Sequence, residues 1–255
     1  MNLLTIAAGF GDSIAVPSWY PDYIKWPEII KLMTRGVTLH NLSRYGAGNE
    51  YIIQCLRQNL VNRDVVLVQW AIPDRLDLVL SHNPQYNEFW NQQIKDDPVY
   101  NNNVVELGDK RVWITSASTA PGVQEYHKKF ISSQQHQLRS QLYIDYATLL
   151  LKDKKHGFLL TTNSEYLNST VTDQSNWHWH EQFHGMCEFR HQSKYAELEL
   201  GLVQPTPLVQ FDFIRQFIQP RIDLPWRSER DINAVEAMLY RKYQESIKNK
   251  PHDTH

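Results

Sequence analysis

Apolar and polar positions in the first 70 residues repeat one theme: a short apolar run, a turn, then a segment with helical spacing. Residues 3–8, 37–42 and 65–70 are near-continuous in apolar side chains, which predicts parallel strands covered on both faces. Between the last two, Ile52, Leu56 and Leu60 recur at helical spacing with Asn49 available as an N-cap, so this crossover is predicted to be a helix. From 71 to 110 the period fails and Asn, Asp, Pro and aromatic residues dominate, which predicts an irregular insertion placed like a lid. Strand character resumes at 111–116. A long helix follows, its inward face marked by Leu138, Leu142, Tyr146 and Leu149 and its end by Gly157; residues 158–161 then read as another central strand. Residues 163–200, rich in Trp and His, form a second irregular insertion. Thr206 as N-cap and Pro207 at the first helical position open a short helix with Phe211, Ile214 and Ile218 inward, stopped by Pro220. The last helix starts at Ser228 and Asp231 in a capping-box pattern and runs through Ile232, Val235 and Leu239. The economical assembly is a single α/β domain over 1–255, a three-layer sandwich around a mostly parallel sheet, with insertions at about 71–110 and 163–200.

Composition narrows the function classes. With 255 residues, 42% hydrophobic and 21% charged, the chain supports a core without disulfides or metals. A net charge of -2 removes any global footprint for nucleic acid or an anionic membrane, and neither is expected as a partner. The apolar runs at 65–68 and 149–151 fall far short of the roughly 20 residues that a membrane-spanning helix needs. The run at 3–8 has no basic region before it and breaks at Gly9, so no secretory signal is expected. Cys55 and Cys187 lie far apart without metal-type spacing, which points to a reduced, cytoplasmic setting. No cofactor is expected.

Three segments that follow strands carry chemistry-bearing residues. Gly11-Asp12-Ser13 follows the first strand, Asn41-Leu-Ser-Arg-Tyr-Gly46-Ala-Gly-Asn49 the second, and Gln69-Trp70-Ala-Ile-Pro-Asp74-Arg75 the third. In open α/β sheets ligands collect outside the carboxyl ends of strands, so a hydroxyl at Ser13 is well located. A glycine at Gly46 lets the backbone approach a ligand, and its N–H can stabilise an oxyanion. Each segment also reads as an ordinary turn with local side-chain bonds.

Taken together, these three segments resemble the SGNH (GDSL-like) hydrolases, in particular a divergent branch encoded by marine phages. The resemblance covers residues 1 to about 80 and continues only as the order of helices and strands. It implies a flavodoxin-like sandwich in which Ser13 is the nucleophile, beside Asp12, and Gly46 lends an oxyanion N–H, with Asn49 as a stand-in donor for the missing third-block asparagine. Trp70 and Arg75 would line the ligand. The last block of the family, Asp-x-x-His-Pro, aligns with Gly201-Leu-Val-Gln204-Pro205, so both base components are replaced. A serine hydroxyl without a base is a weak nucleophile, and Gln204 cannot take its proton. The implied protein is a degenerate hydrolase, a pseudoenzyme kept as a ligand-binding or assembly module in the host cytoplasm or virion of a phage. Its ligand would be an acyl or acetyl ester or a carbohydrate, and a protein partner is the other expectation. An active ester hydrolase would need a relocated histidine from His178, His180 or His184.

His180-Glu181-Gln-Phe-His184 also satisfies HExxH, which on a helix offers two imidazoles to zinc and a glutamate as general base. No third ligand is identifiable by spacing, so zinc is not favoured and a lid or binding surface bearing Trp177 and Trp179 is the preferred reading. Exposed aromatic residues there would stack on sugar rings or a protein partner, while burial is expected for most of the 8 Trp.

Overall fold

Successive side chains of the central strands enter two different helical layers, and this alternation fixes the architecture. The computed structural model describes residues 1–7, 24–43, 48–71, 76–79, 105–107, 109–114, 121–130, 132–160, 185–198 and 205–248. Strands β1 (Asn2–Ala7), β2 (Thr38–Asn41) and β3 (Val65–Trp70) are joined by helices α1 (Trp26–Met33) and α2 (Asn49–Asn59). Further along come β4 (Leu76–Val79), β5 (Val105–Leu107), β6 (Asp109–Ile114), α3 (Pro121–Phe130), α4 (Ser133–Leu151) and β7 (Lys155–Leu160). The chain continues through α5 (Met186–Phe189), a 3₁₀ turn (Ala196–Leu198) and α6 (Pro207–Phe213), which runs on as a π-helical segment (Ile214–Ile218), and ends in α7 (Glu229–Lys248).

The central sheet has the order β2-β1-β3-β7 and every pairing in it is parallel. The chain steps one way from β1 to β2 and the other way from β2 to β3. Right-handed crossovers therefore place α1 and α2 on opposite faces. The core divides accordingly. Leu3, Ala7, Val65, Leu67 and Leu159 pack with α1, α6 and α7, whereas Leu4, Ile6, Val66, Val68, Trp70 and Phe158 pack with α2 and α4. This is the expected three-layer α/β sandwich with a parallel sheet. No helix among the described residues is long and apolar enough to cross a membrane.

β3 has the expected bounds, while β1 and β2 begin or end a residue from theirs. α6 opens as anticipated: Thr206 accepts a hydrogen bond from the Val209 N–H at 3.4 Å, Pro207 is the first helical residue, and Phe211, Ile214 and Ile218 are buried. In α7, Ser228 Oγ accepts from the Asp231 N–H at 3.3 Å, with Ile232 and Leu239 in the core.

Four expectations are corrected. The interval 71–110 carries β4 and β5, which flank β6 in a three-stranded antiparallel sheet of order β4-β6-β5; the alternation in Leu76-Asp-Leu-Val79 is too short to stand out between Asn and Pro residues. The second interval carries α5 and the 3₁₀ turn. Gly157 does not end α4: the helix stops at Leu151, and Gly157 lies inside β7, opposite Leu67. The fourth concerns the phase of α4. Leu138, Leu142, Tyr146 and Leu149 face outward, with Leu142 59% exposed and Leu149 68%, and the buried face is His136, Ser140, Ile144, Ala147 and Leu151.

That phase gives a direct comparison. Ile144→Val removes one methylene from a sealed site and is expected to cost about 0.5–1.5 kcal/mol. Leu142→Ala, a larger truncation, is expected to stay within about 0.5 kcal/mol because it empties no core space. Urea midpoints of the two variants check the phase, and the reverse ranking would put the leucine stripe in the core.

The segment before α6 is fastened to the helical layer by two carboxylates. Asp212 accepts from Ser193 Oγ at 2.7 Å, the Lys194 N–H at 3.1 Å and Gln216 Nε2 at 3.1 Å. Glu236 on α7 accepts from Lys194 Nζ at 2.5 Å and from the Tyr195 hydroxyl. Burial first, and then the bond to Glu236, push the Tyr195 hydroxyl far above its usual range, so it remains a donor throughout the neutral range. Burial alone would raise Glu236, but the bonds from Lys194 and Tyr195 and the nearby positive charges hold it below the ordinary carboxylate value. Its contribution to stability is therefore complete above about pH 4.3 and is lost as the pH falls through the lowered folded value. Glu236→Gln is expected to flatten the fall in melting temperature below about pH 4. Equal acid slopes for the two proteins would remove Glu236 from that account.

Candidate functional site at the carboxyl edge of the sheet

Because β1, β2 and β3 are parallel neighbours, their carboxyl ends share one edge, with Thr5 opposite Asn41 and Ala7 opposite Gln69. The order in which strands are added reverses between β1 and β3, so this edge holds the switch point where doubly wound sheets collect ligands.

Two side-chain clasps shape it. At the end of β2, Asn41 Oδ1 accepts from the Ser43 hydroxyl at 2.6 Å, the Ser43 N–H at 3.1 Å and the Thr5 hydroxyl at 3.2 Å. This is an Asx turn, in which a side-chain carbonyl replaces a backbone one. Ser43 Oγ in turn accepts from the Ala7 N–H at 2.9 Å, and the Leu42 N–H donates to Thr5 O at 2.9 Å, so the β1–β2 pairing continues past the strand end through a side chain. Tyr51 on α2 donates to Leu42 O at 2.7 Å. Asn41 Nδ2 reaches Glu28 Oε1 on α1 at 3.4 Å.

The second clasp sits at the end of β3. Asn49 is not the N-cap, since Gly48 takes that position and Asn49 is the first residue of α2. Its buried carboxamide pairs with one backbone residue through both ends: Oδ1 accepts from the Ala71 N–H at 2.8 Å, and Nδ2 donates to Ala71 O at 3.3 Å. Nδ2 also donates to Ser140 Oγ on α4 at 3.2 Å. Asn49 thus ties β3, α2 and α4 together, and its amide protons are engaged within the fold.

Trp70 lies on the α2–α4 side of the sheet, 1% exposed, with its ring edge-on to Phe158 at a centroid distance of 5.6 Å and 76°. It packs the core instead of lining the edge. Cys55 is buried and Cys187 half-buried. Ser13, Asp12, Gly46, Arg75, Trp177, His178, Trp179, His180, His184, Gly201 and Gln204 lie outside the described residues. Among the described residues no group of three or more His, Cys, Asp or Glu side chains is placed to hold a metal ion.

Thr5, Glu28 and Ser140 take part in these clasps and are not singled out by the sequence pattern. The Asn-x-Ser spacing at a strand end is a usable signal for the first clasp. Nothing in the local sequence marks Ser140, whose partner is 91 residues away. Neither clasp is a catalytic unit by itself: the Ser43 hydroxyl donates to an amide oxygen, which cannot cycle a proton near neutral pH. A scan against protein-family models finds no match, and a search of curated proteins finds no similar sequence.

Proposed function

We propose that the chain is an SGNH-hydrolase-like protein in which ester hydrolysis has decayed and a binding or assembly role remains. The observation that carries this reading is the adjacency of β1, β2 and β3 as parallel strands, because Gly11-Asp12-Ser13, the segment from Asn41 to Gly46, and the segment from Trp70 to Arg75 all issue from that one edge. The Asn41–Ser43 clasp adds support, since it anchors the second segment directly over the end of β1, the strand that leads to Ser13. Degeneracy rests on Gly201 and Gln204 standing where the resemblance requires aspartate and histidine. An amide at 204 can orient the Ser13 hydroxyl, but it does not remove its proton. The ligand of such a module is an acyl or acetyl ester, a carbohydrate or a protein surface, and a phage-encoded chain would carry it in the virion or the host cytoplasm.

A fluorophosphonate probe tests this reading, because it labels only serines activated by a base. Ser13 is expected to remain unlabelled while an active serine esterase in the same tube is labelled to completion. Labelling of Ser13 that disappears in Ser13→Ala would establish an active hydrolase, and His178, His180 and His184 would then be substituted singly to find the base.

A further inference from the structure

The outward face of α1 carries a groove that meets the sheet edge only at Glu28. At about 100° per residue, Glu28, Lys31 and Leu32 fall within one sector of α1 about 100° wide, opposite the core face of Trp26, Ile29, Ile30 and Met33, while Ile24 and the extended N-cap Lys25 lead into the helix. Arg227 closes the groove. Its backbone N–H donates to Met33 O at 2.8 Å and its Nε to Thr34 O at 3.0 Å, and Trp226 beside it bridges to Thr34. The cavity holds about 610 Å³ and is lined by Ile24, Lys25, Glu28, Lys31, Leu32 and Arg227, a size that suits a small ligand.

Its charges are unbalanced. Three cations face one carboxylate, and among the described residues neither Lys25, Lys31 nor Arg227 forms an ion pair. Asp231, the acid that feels the charge of Arg227, is engaged by Arg35 at 2.6 Å. Arg227 is held in place through its backbone and Nε, which leaves its terminal guanidinium nitrogens as a fixed fork. Glu28 contributes the opposite character. Among the described residues its Oε1 takes only the 3.4 Å contact from Asn41, which leaves it room for a second donor. A carboxylate oxygen with spare acceptor capacity can take an O–H from a ligand in the groove.

We propose that this groove binds a small phosphate monoester bearing a free hydroxyl, with the phosphate between Lys31 and Arg227 and the hydroxyl donating to Glu28. A monoester carries close to two negative charges at neutral pH, which matches the excess of cations over the single carboxylate. Two of its terminal oxygens can pair with the two nitrogens of the arginine fork. Glu28 touches the sheet edge through Asn41, but Lys25, Lys31 and Arg227, which would hold the phosphate, have no part in the hydrolase-like segments, so the assignment does not depend on the hydrolase reading.

Isothermal titration of the full chain with sn-glycerol 3-phosphate, inorganic phosphate and glycerol tests the assignment. Saturable binding of glycerol 3-phosphate is expected, tighter than that of inorganic phosphate, with none for glycerol. Lys31→Gln and Arg227→Gln are each expected to weaken it about tenfold, the loss of one charge-assisted hydrogen bond. Glu28→Ala is expected to erase the preference for glycerol 3-phosphate over inorganic phosphate. Lys31 is an exposed residue whose substitution leaves the core intact, so unchanged affinity in Lys31→Gln would overturn the site whatever the other variants do. Absence of saturable heat would overturn it as well, and equal affinity for the two phosphates would overturn the ligand class.

Discussion

Trp70→Ala is expected to destabilise the fold by about 3–5 kcal/mol, more than any other single substitution proposed for this chain. The indole lies in the core between the sheet and the α2–α4 layer, in the cluster that holds Ile6 and Val68, with its ring edge-on to Phe158. Truncation leaves a cavity that strands on both sides hold open, because parallel strands fixed by ladder hydrogen bonds relax only partly. Trp70→Phe preserves most of the volume and the edge-on contact, and is expected to recover more than half of the loss. Urea unfolding separates this from the ligand role anticipated for the residue: the midpoint falls while the slope is unchanged if Trp70 is core. A variant that keeps its midpoint would return the side chain to the binding edge.

The second large effect is expected at Asn49. Removing its carboxamide strands the N–H and C=O of Ala71 and the hydroxyl of Ser140, all in a region closed to water. Stranded polar groups cost about 1–3 kcal/mol each, and partial access by water reduces the sum, so Asn49→Ala is expected to lose about 2–4 kcal/mol. Asn49→Asp keeps an acceptor for the Ala71 N–H but sets a carboxylate oxygen against the Ala71 carbonyl. It is expected to be no better than alanine at neutral pH. Burial raises the folded-state pKa of such a carboxyl, so its deficit relative to the unsubstituted protein shrinks as the pH falls and the group protonates. Melting temperatures of both variants at neutral and acidic pH check this, and a neutral Asn49→Ala would mean that the clasp contributes nothing to stability.

These two residues mark the boundary of what local sequence can tell. Runs such as Val65-Val-Leu-Val-Gln-Trp70 read as a buried parallel strand because they are of strand length, rich in β-branched valine and apolar toward both faces. Thr206-Pro207 announces a helix start for an equally local reason. The phase of α4 is not legible in the same way, because burial there is decided across the interface. It packs against α2, its buried face includes Ser140 because Asn49 needs a partner there, and Ala147 keeps the contact close. The more hydrophobic stripe of leucines lies on the other side, so periodicity alone selects the wrong face. β4 and β5, at four and three residues, fall below the length at which alternation stands out from its neighbours. For the candidate site, the edge itself is legible from strand order. The roles of Asn49 and Trp70 are not, because a polar or aromatic residue near a strand end reads the same whether it meets a ligand or a neighbouring backbone.

The central claim, a hydrolase-like edge that no longer hydrolyses, is tested most directly by turnover of a short acyl ester such as p-nitrophenyl acetate by purified protein beside its Ser13→Ala variant. The predicted result is a pair of rates that coincide at the background of the protein surface. A rate well above background that Ser13→Ala abolishes would contradict the claim, since it requires a general base at Ser13 that Gly201 and Gln204 do not supply.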